Sequence, residues 1–243
     1  MAGVSHRDLD RRSLLFRALA MAVLMFLIGA SGCGGDENGA VVLDPAEHSS
    51  VVDNRFVPLA SVREMDFEGA EQGGTVETRV EWRVRDETET IAGVEATIVD
   101  VKEYANGSLV EHTLDYYAQR ADGTVLYLGE KVDDYKDGEI VAHGGQWIAG
   151  EGNAKPGLFM PAEPKVGEVF EQERAPGVAE DQSTVLNLGV GVKTPAGSFS
   201  DCLKTKDEAP LGGATEFKYY CPGVGLVREE SGQNYLDLVR YTK

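Results

Sequence analysis

The chain has 243 residues, with 41 acidic against 23 basic side chains and a formal charge of −18 at pH 7. Without residues 1–32 the count becomes 39 acidic against 19 basic, a net −20. That balance repels phosphate backbones and excludes nucleic acid as an expected partner, and it offers no polybasic grip on anionic lipid.

In chain order, Arg7, Arg11, Arg12 and Arg17 precede Ala18–Ala30, a run of 13 residues without charge or proline. Such a run suits the apolar core of a signal peptide, about 7–15 residues, and falls short of the roughly 20 that span a bilayer. It leads into Ala30-Ser31-Gly32-Cys33, which resembles the lipobox of bacterial lipoproteins, with Ala30 where that family usually carries leucine. The resemblance implies that residues 1–32 are a removable signal peptide. It also implies that Cys33 is acylated, so that the protein is exported and anchored to the bacterial membrane by its lipid. An ordinary secretory signal with an incidental cysteine is the alternative.

Gly34-Gly35-Asp36-Glu37-Asn38-Gly39 is too polar and glycine-rich to bury anything. Residues 33–53 are therefore expected to be a flexible tether. The remainder, 54–243, is long enough for a single β-rich domain. No long segment has helical periodicity. Instead Asn106-Gly107, Asp122-Gly123 and Asp137-Gly138 punctuate runs rich in Val, Ile, Thr and Tyr, the pattern of an antiparallel meander. The expected fold class is all-β, an antiparallel meander curled into a barrel or half-barrel.

Turn chemistry sets a trial register. A two-residue turn at Asn106-Gly107 places Val99 opposite Leu114 and Val101 opposite His112. A three-residue loop, Ala121-Asp122-Gly123, places Leu126 opposite Ala118, Leu128 opposite Tyr116 and Val132 opposite His112. A two-residue turn at Asp137-Gly138 brings Trp147 beside Leu128 and His143 beside Val132. One face then carries Thr97, Tyr116, Leu128 and Trp147 in one row, with Val99, Leu114 and Glu130 in the next. Asp100, Thr113 and Lys131 fall on the water side.

Residues 153–168 contain Pro156, Pro161 and Pro164, which rule out a central strand and make this segment a connection or edge strap. Its apolar centre, Leu158-Phe159-Met160, is expected to pack onto the barrel mouth or the sheet rim. Strands resume over 185–193, turn at Thr194-Pro195-Ala196-Gly197 and end in a hairpin that finishes near Tyr235–Tyr241.

Five stretches together resemble a group of uncharacterised exported bacterial lipoproteins. They are Asn54–Leu59, Asp115–Gln119, Lys155-Pro156-Gly157 with Met160-Pro161, Ala179-Glu180-Asp181, and Tyr219-Tyr220-Cys221-Pro222-Gly223-Val224-Gly225-Leu226-Val227. The signature of that group reads YYAPGVGLV, and Cys221 stands here in place of its alanine. The group lends no activity.

Cys202 and Cys221 are symmetric about Leu211/Gly212, so a hairpin turning there opposes them directly. In an exported protein that favours a structural disulfide. Among candidates for chemistry, His112 and His143 flank Val132 about 10 Å apart, given strand spacings of 4.7–4.9 Å, too wide for two ligands of one metal. Glu180-Asp181 is an adjacent acid pair of the kind a chain this acidic contains by chance, and solvated carboxylates are expected. No HExxH or GxSxG occurs, and Asp133–Gly138 lacks the ligands of a calcium loop. Neither cofactor nor metal is expected, and no enzyme.

Two functions remain. The first is a non-catalytic binding module, with Tyr116, Leu128, Trp147, Leu158, Phe159 and Met160 lining a surface for an apolar or lipid ligand. The second is a structural scaffold that holds another protein of the envelope.

Overall fold

The computed structural model describes residues 41–243. The expected signal peptide, 1–32, and the acylated Cys33 lie outside the described residues. The chain is all-β. After a single 3-10 turn, Pro45–Glu47, come β1 (His48–Ser49), β2 (Glu64–Glu71), β3 (Val76–Ile91), β4 (Val94–Ala105) and β5 (Ser108–Arg120). Then follow β6 (Val125–Lys136), β7 (Glu139–Ala142), β8 (Trp147–Ile148), β9 (Gly157–Met160) and β10 (Val169–Glu171). The last five are β11 (Gln182–Thr194), β12 (Gly197–Glu208), β13 (Glu216–Cys221), β14 (Gly225–Ser231) and β15 (Asn234–Thr242).

The strands form one antiparallel sheet in the order β10-β11-β12-β13-β14-β15-β2-β3-β4-β5-β6-β7, with β8 and β9 added to β6 and β1 to β5. Two meanders, one from each half of the chain, are joined where the last strand pairs with β2. At that seam Leu238 faces Phe67, and Phe67 faces Val80. All three are fully buried, and each contributes about 1.5–3 kcal/mol by leaving water. The sheet curls without closing into a continuous barrel. The proline-rich strap bridges the gap: β9 pairs with β6, and Lys155 N donates to Arg174 O just beyond β10 (2.9 Å).

The turn chemistry is as expected. Asn106-Gly107 and Asp137-Gly138 have positive φ at both residues, the two-residue turn that matches strand twist. Ala121-Asp122-Gly123 makes the three-residue loop, with Arg120 N donating to Thr124 O. Cys202 and Cys221 form a disulfide in a ladder that sets Leu203 opposite Tyr220.

The register beyond two turns differs from the trial register. The Asn106-Gly107 hairpin starts with Ala105 opposite Ser108, then slips by one residue between Tyr104/Leu109 and Glu103/Glu111. Val110 is the extra residue of a bulge, and Val101 therefore faces Thr113, not His112. A second bulge at Leu128 puts Tyr116 opposite Gly129 and Tyr117 opposite Tyr127. Beyond the Asp137-Gly138 turn the chain gains two residues on the trial register, one at a bulge in β7 and one more before β8, which sets Trp147 opposite Glu130 instead of Leu128. Each bulge turns the following side chains to the other face. Thr113, expected on the water side, is thus buried.

The expected tether also ends sooner. His48 and Ser49 pair with Arg120 and Gln119, Leu43 N donates to Ala92 O, and Val52 is buried. Residues 43–53 lie against the sheet because its rim offers them backbone partners and an apolar seat.

Candidate functional site

Asn54 is a hub at one end of the half-barrel. Its Nδ2 donates to Gly123 O and Pro161 O, and its Oδ1 accepts from Phe56 N. Gln119 Oε1 accepts from the backbone of Asp53 and Asn54, and Gly223 N donates to Arg55 O. Phe56, Val57, Leu59 and Val62 are buried beneath this knot and plug that end. Stretches far apart in sequence, including Asn54–Leu59 and the turn of YYCPGVGLV, meet here.

Above the plug lies a cavity of about 130 Å³. The inner faces of β3 to β6 supply Trp82, Val101, Thr113, Asp115, Tyr127 and Glu130. The facing wall comes from β13 and β14 with Glu216, Lys218, Tyr220 and Glu229. Phe159 of the strap and Glu173 and Asp181 of the β10–β11 connection complete it. Aromatic rings pack along one side: Tyr117 stacks on Tyr127 (5.1 Å between centroids) and meets Phe159 edge-on (4.9 Å).

The charges are unevenly distributed. Lys218 Nζ sits 3.2 Å from Asp207, 3.3 Å from Glu216 and 3.9 Å from Glu229. Burial opposes its charge, but those carboxylates raise its pKa well above the usual lysine value. Across the cavity no cation lies within ion-pair distance of Asp115, Glu130, Glu173 or Asp181 among the described residues. Asp115 and Glu130 are directly opposed across β5 and β6, an arrangement that disfavours two like charges. Asp115 keeps one partner, the Tyr127 hydroxyl, which donates at 2.6 Å.

Burial dominates the proton affinities here. It pushes Asp115 up to about 7 against the relief of the Tyr127 hydrogen bond. Burial, then repulsion from Asp181, raises Glu173 to about 8. Asp181 rises to about 6 and Glu216 to about 7, both through burial opposed by Lys218. Glu130 and Glu229 are raised well above the usual range, again by burial first and neighbouring carboxylates second. Glu130 Oε1 and Glu173 Oε2 are buried without any hydrogen-bond partner.

Of the side chains expected to contact a ligand, Phe159 lines this cavity. Tyr116 and Leu128, carried to the other face by the bulges, are fully buried elsewhere, and Met160 is buried opposite Val125. Leu158 is half-buried opposite Leu126. Trp147 packs edge-on against Tyr127 and lines a separate outer cleft of about 420 Å³ with His112, Lys131, Asp133 and His143. Each histidine there has a carboxylate: His112 Nε2 lies 3.0 Å from Asp100, and His143 Nδ1 lies 2.9 Å from Asp133. The Glu180-Asp181 pair also departs from expectation, because Asp181 is partly buried in the cavity wall.

Alternation conceals these acids, since a strand reading Glu216-Phe217-Lys218-Tyr219-Tyr220 assigns its charges outward. The available signal was the excess of acids over bases within strand-length runs.

No family model matches this chain, and no curated protein does. Two crystal structures resemble it. One is a predicted exported protein with a YmcC-like fold from Bacteroides fragilis, 14% identical, covering 74% of this chain and 95% of its own, with a TM-score of 0.42. The other is a predicted lipoprotein from Parabacteroides distasonis, 15% identical, covering 78% and 99%, with a TM-score of 0.39. Likenesses this distant say nothing of ligand or activity.

Proposed function

We propose that this protein is an exported envelope lipoprotein, held on the bacterial membrane through Cys33, that works as a non-catalytic binding module for a small polar ligand. The anchor rests on the basic segment, short apolar run and terminal cysteine of residues 7–33. The binding role rests on one observation, the unfilled cavity inside the curled sheet. A scaffold needs a packed interior, and side chains here leave about 130 Å³ empty. A cavity of roughly 150 Å³ accommodates a benzene-sized guest, so the space suits a small molecule and is too small for acyl chains. Its carboxyl-rich wall likewise favours a polar guest over the apolar or lipid ligand expected from alternation.

The test uses Trp82, whose side chain lines the cavity. In a Trp147→Phe protein, tryptophan fluorescence is titrated with a panel of small polar metabolites, and a fatty acid is included as the apolar contrast. A saturable change with a polar compound, lost in a folded Val101→Phe variant that fills the cavity, is expected. An unchanged response in that variant would move the site elsewhere. Silence across the panel would leave the scaffold reading, for which the exposed Ile140 and Val141 of edge strand β7 offer a docking surface.

A further inference from the structure

We propose that the cavity takes a small organic cation, an alkyl ammonium seated against Glu130 and Glu173, so that the ligand supplies the positive charge this side of the cavity lacks. The inference rests on the binding-module reading and names its ligand class.

Three independent features carry it. First, the two buried side chains present unmet acceptors: Glu130 is 2% and Glu173 6% exposed, and each has one carboxyl oxygen without a partner. A buried polar atom left unpaired costs roughly 1–3 kcal/mol, more if charged, so in a cavity wall such atoms are candidate contacts for a bound group. An ammonium group offers three N–H donors and no acceptor, which matches these carboxyl groups in the ionised, acceptor-only form that a neighbouring cation favours.

Second, the cavity already contains one half of the pattern. Lys218 of β13 lies within ion-pair distance of Asp207 on β12, Glu216 on β13 and Glu229 on β14. Asp115, Glu130, Glu173 and Asp181 line the same cavity, and among the described residues none has a cation within ion-pair distance, Lys218 relieving Asp115, Glu173 and Asp181 only from farther off. A ligand cation is the counterpart of Lys218 on that side. An anion would face carboxyl groups on both walls, and a neutral polyol would leave the direct Asp115–Glu130 opposition uncompensated.

Third, the remaining wall is aromatic. Tyr117, Tyr127 and Phe159 line the same space and pack on one another. Ring faces attract cations by about 0.5–2 kcal/mol and give the methylenes of an alkyl amine an apolar seat. A metal ion fits less well, because no group of three metal-ligating side chains is assembled among the described residues. The size agrees too: 1,4-diaminobutane has as many heavy atoms as benzene, the scale of guest such a cavity accommodates.

The experiment is isothermal titration calorimetry at pH 8 on the exported protein, with 1,4-diaminobutane as the probe. The neutral isostere 1,4-butanediol and calcium chloride serve as contrasts. The diamine is expected to bind at one site, with Glu130→Gln and Glu173→Gln each weakening it at least tenfold and butanediol showing no heat. Gln preserves shape, and circular dichroism melts verify that both variants fold. Butanediol binding as tightly as the diamine would overturn the cation class while keeping the binding module. Calcium binding with the diamine silent would overturn it in favour of a metal site. If none of the three binds, native mass spectrometry of the protein as purified decides the remainder. A retained non-cationic molecule overturns the cation alone, and an empty protein that is also silent in the fluorescence panel overturns both readings.

Discussion

Opening the Cys202–Cys221 bridge should lower stability by about 3 kcal/mol, nearly all of it through the unfolded chain. The bridge spans a sequence separation of 19, and releasing a loop of that size returns roughly 3 kcal/mol of chain entropy at 25 °C to the unfolded state. The folded side changes little, because Leu203–Asp207 stay laddered to Glu216–Tyr220 without the sulfur bond. For a domain of this size each kcal/mol moves the melting midpoint by about 2–4 °C, so a fall of roughly 6–12 °C is expected. The assay compares thermal and urea melts of oxidised protein, protein in dithiothreitol, and the Cys202→Ala/Cys221→Ala double variant. The denaturant slope should steepen in the two open forms, because their unfolded chains expand. Tyr220 and Lys218 share β13 with Cys221 and line the cavity, and because that ladder persists, ligand affinity should change little. A midpoint shift below about 2 °C with an unchanged slope would refute the reasoning and place the bridge's role outside stability.

Three further outcomes are expected. Stability should fall as pH rises from about 5 to 8. Asp181, Asp115, Glu216 and Glu173 hold their protons up to about 6, 7, 7 and 8 in the fold, while the unfolded chain releases them near pH 4. Asp66 and Asp100, held below the usual range by their arginine partners once burial is outweighed, act oppositely and lose their contribution as pH falls through their lowered values. Urea midpoints that rise between pH 5 and 8 would contradict this sign. Gly129→Ala should cost about 3 kcal/mol or more in a urea melt: its φ is +125°, and a Cβ would stand 2.2 Å from Trp147 O. Gly138→Ala, at an open turn with nothing near its Cβ, should cost only about 1–2 kcal/mol. Equal losses would mean that β8 does not press on β6. Finally, Cys33→Ala should shift the protein from the membrane fraction to the soluble one, and retention on the membrane would remove the lipid anchor from the reading.

What the chain discloses by itself is local. Paired positive-φ residues such as Asn106-Gly107 can close only tight hairpins, so the meander and its loop lengths are legible. Cys202 and Cys221 are legible for the same reason, since their symmetry about one turn needs no distant information. Three prolines in 153–168 are enough to exclude a central strand. The faces of those strands were another matter. Bulges at Val110 and Leu128 each add one residue, and one residue is enough to turn Thr113 and Asp115 inward and carry Tyr116 away. No dipeptide marks either position, because a bulge is settled by how the whole ladder twists and packs.

The cavity lay further still from local reading. Glu130 and Glu173 are ordinary acids in an acidic chain until β15 pairs with β2 and the strap reaches from β6 toward β10. That closure, whose β15–β2 seam joins segments more than a hundred residues apart, removes their water and brings Lys218 near. Turn geometry is a property of neighbours along the chain, whereas burial, and with it the charge state of a carboxyl, belongs only to the closed sheet.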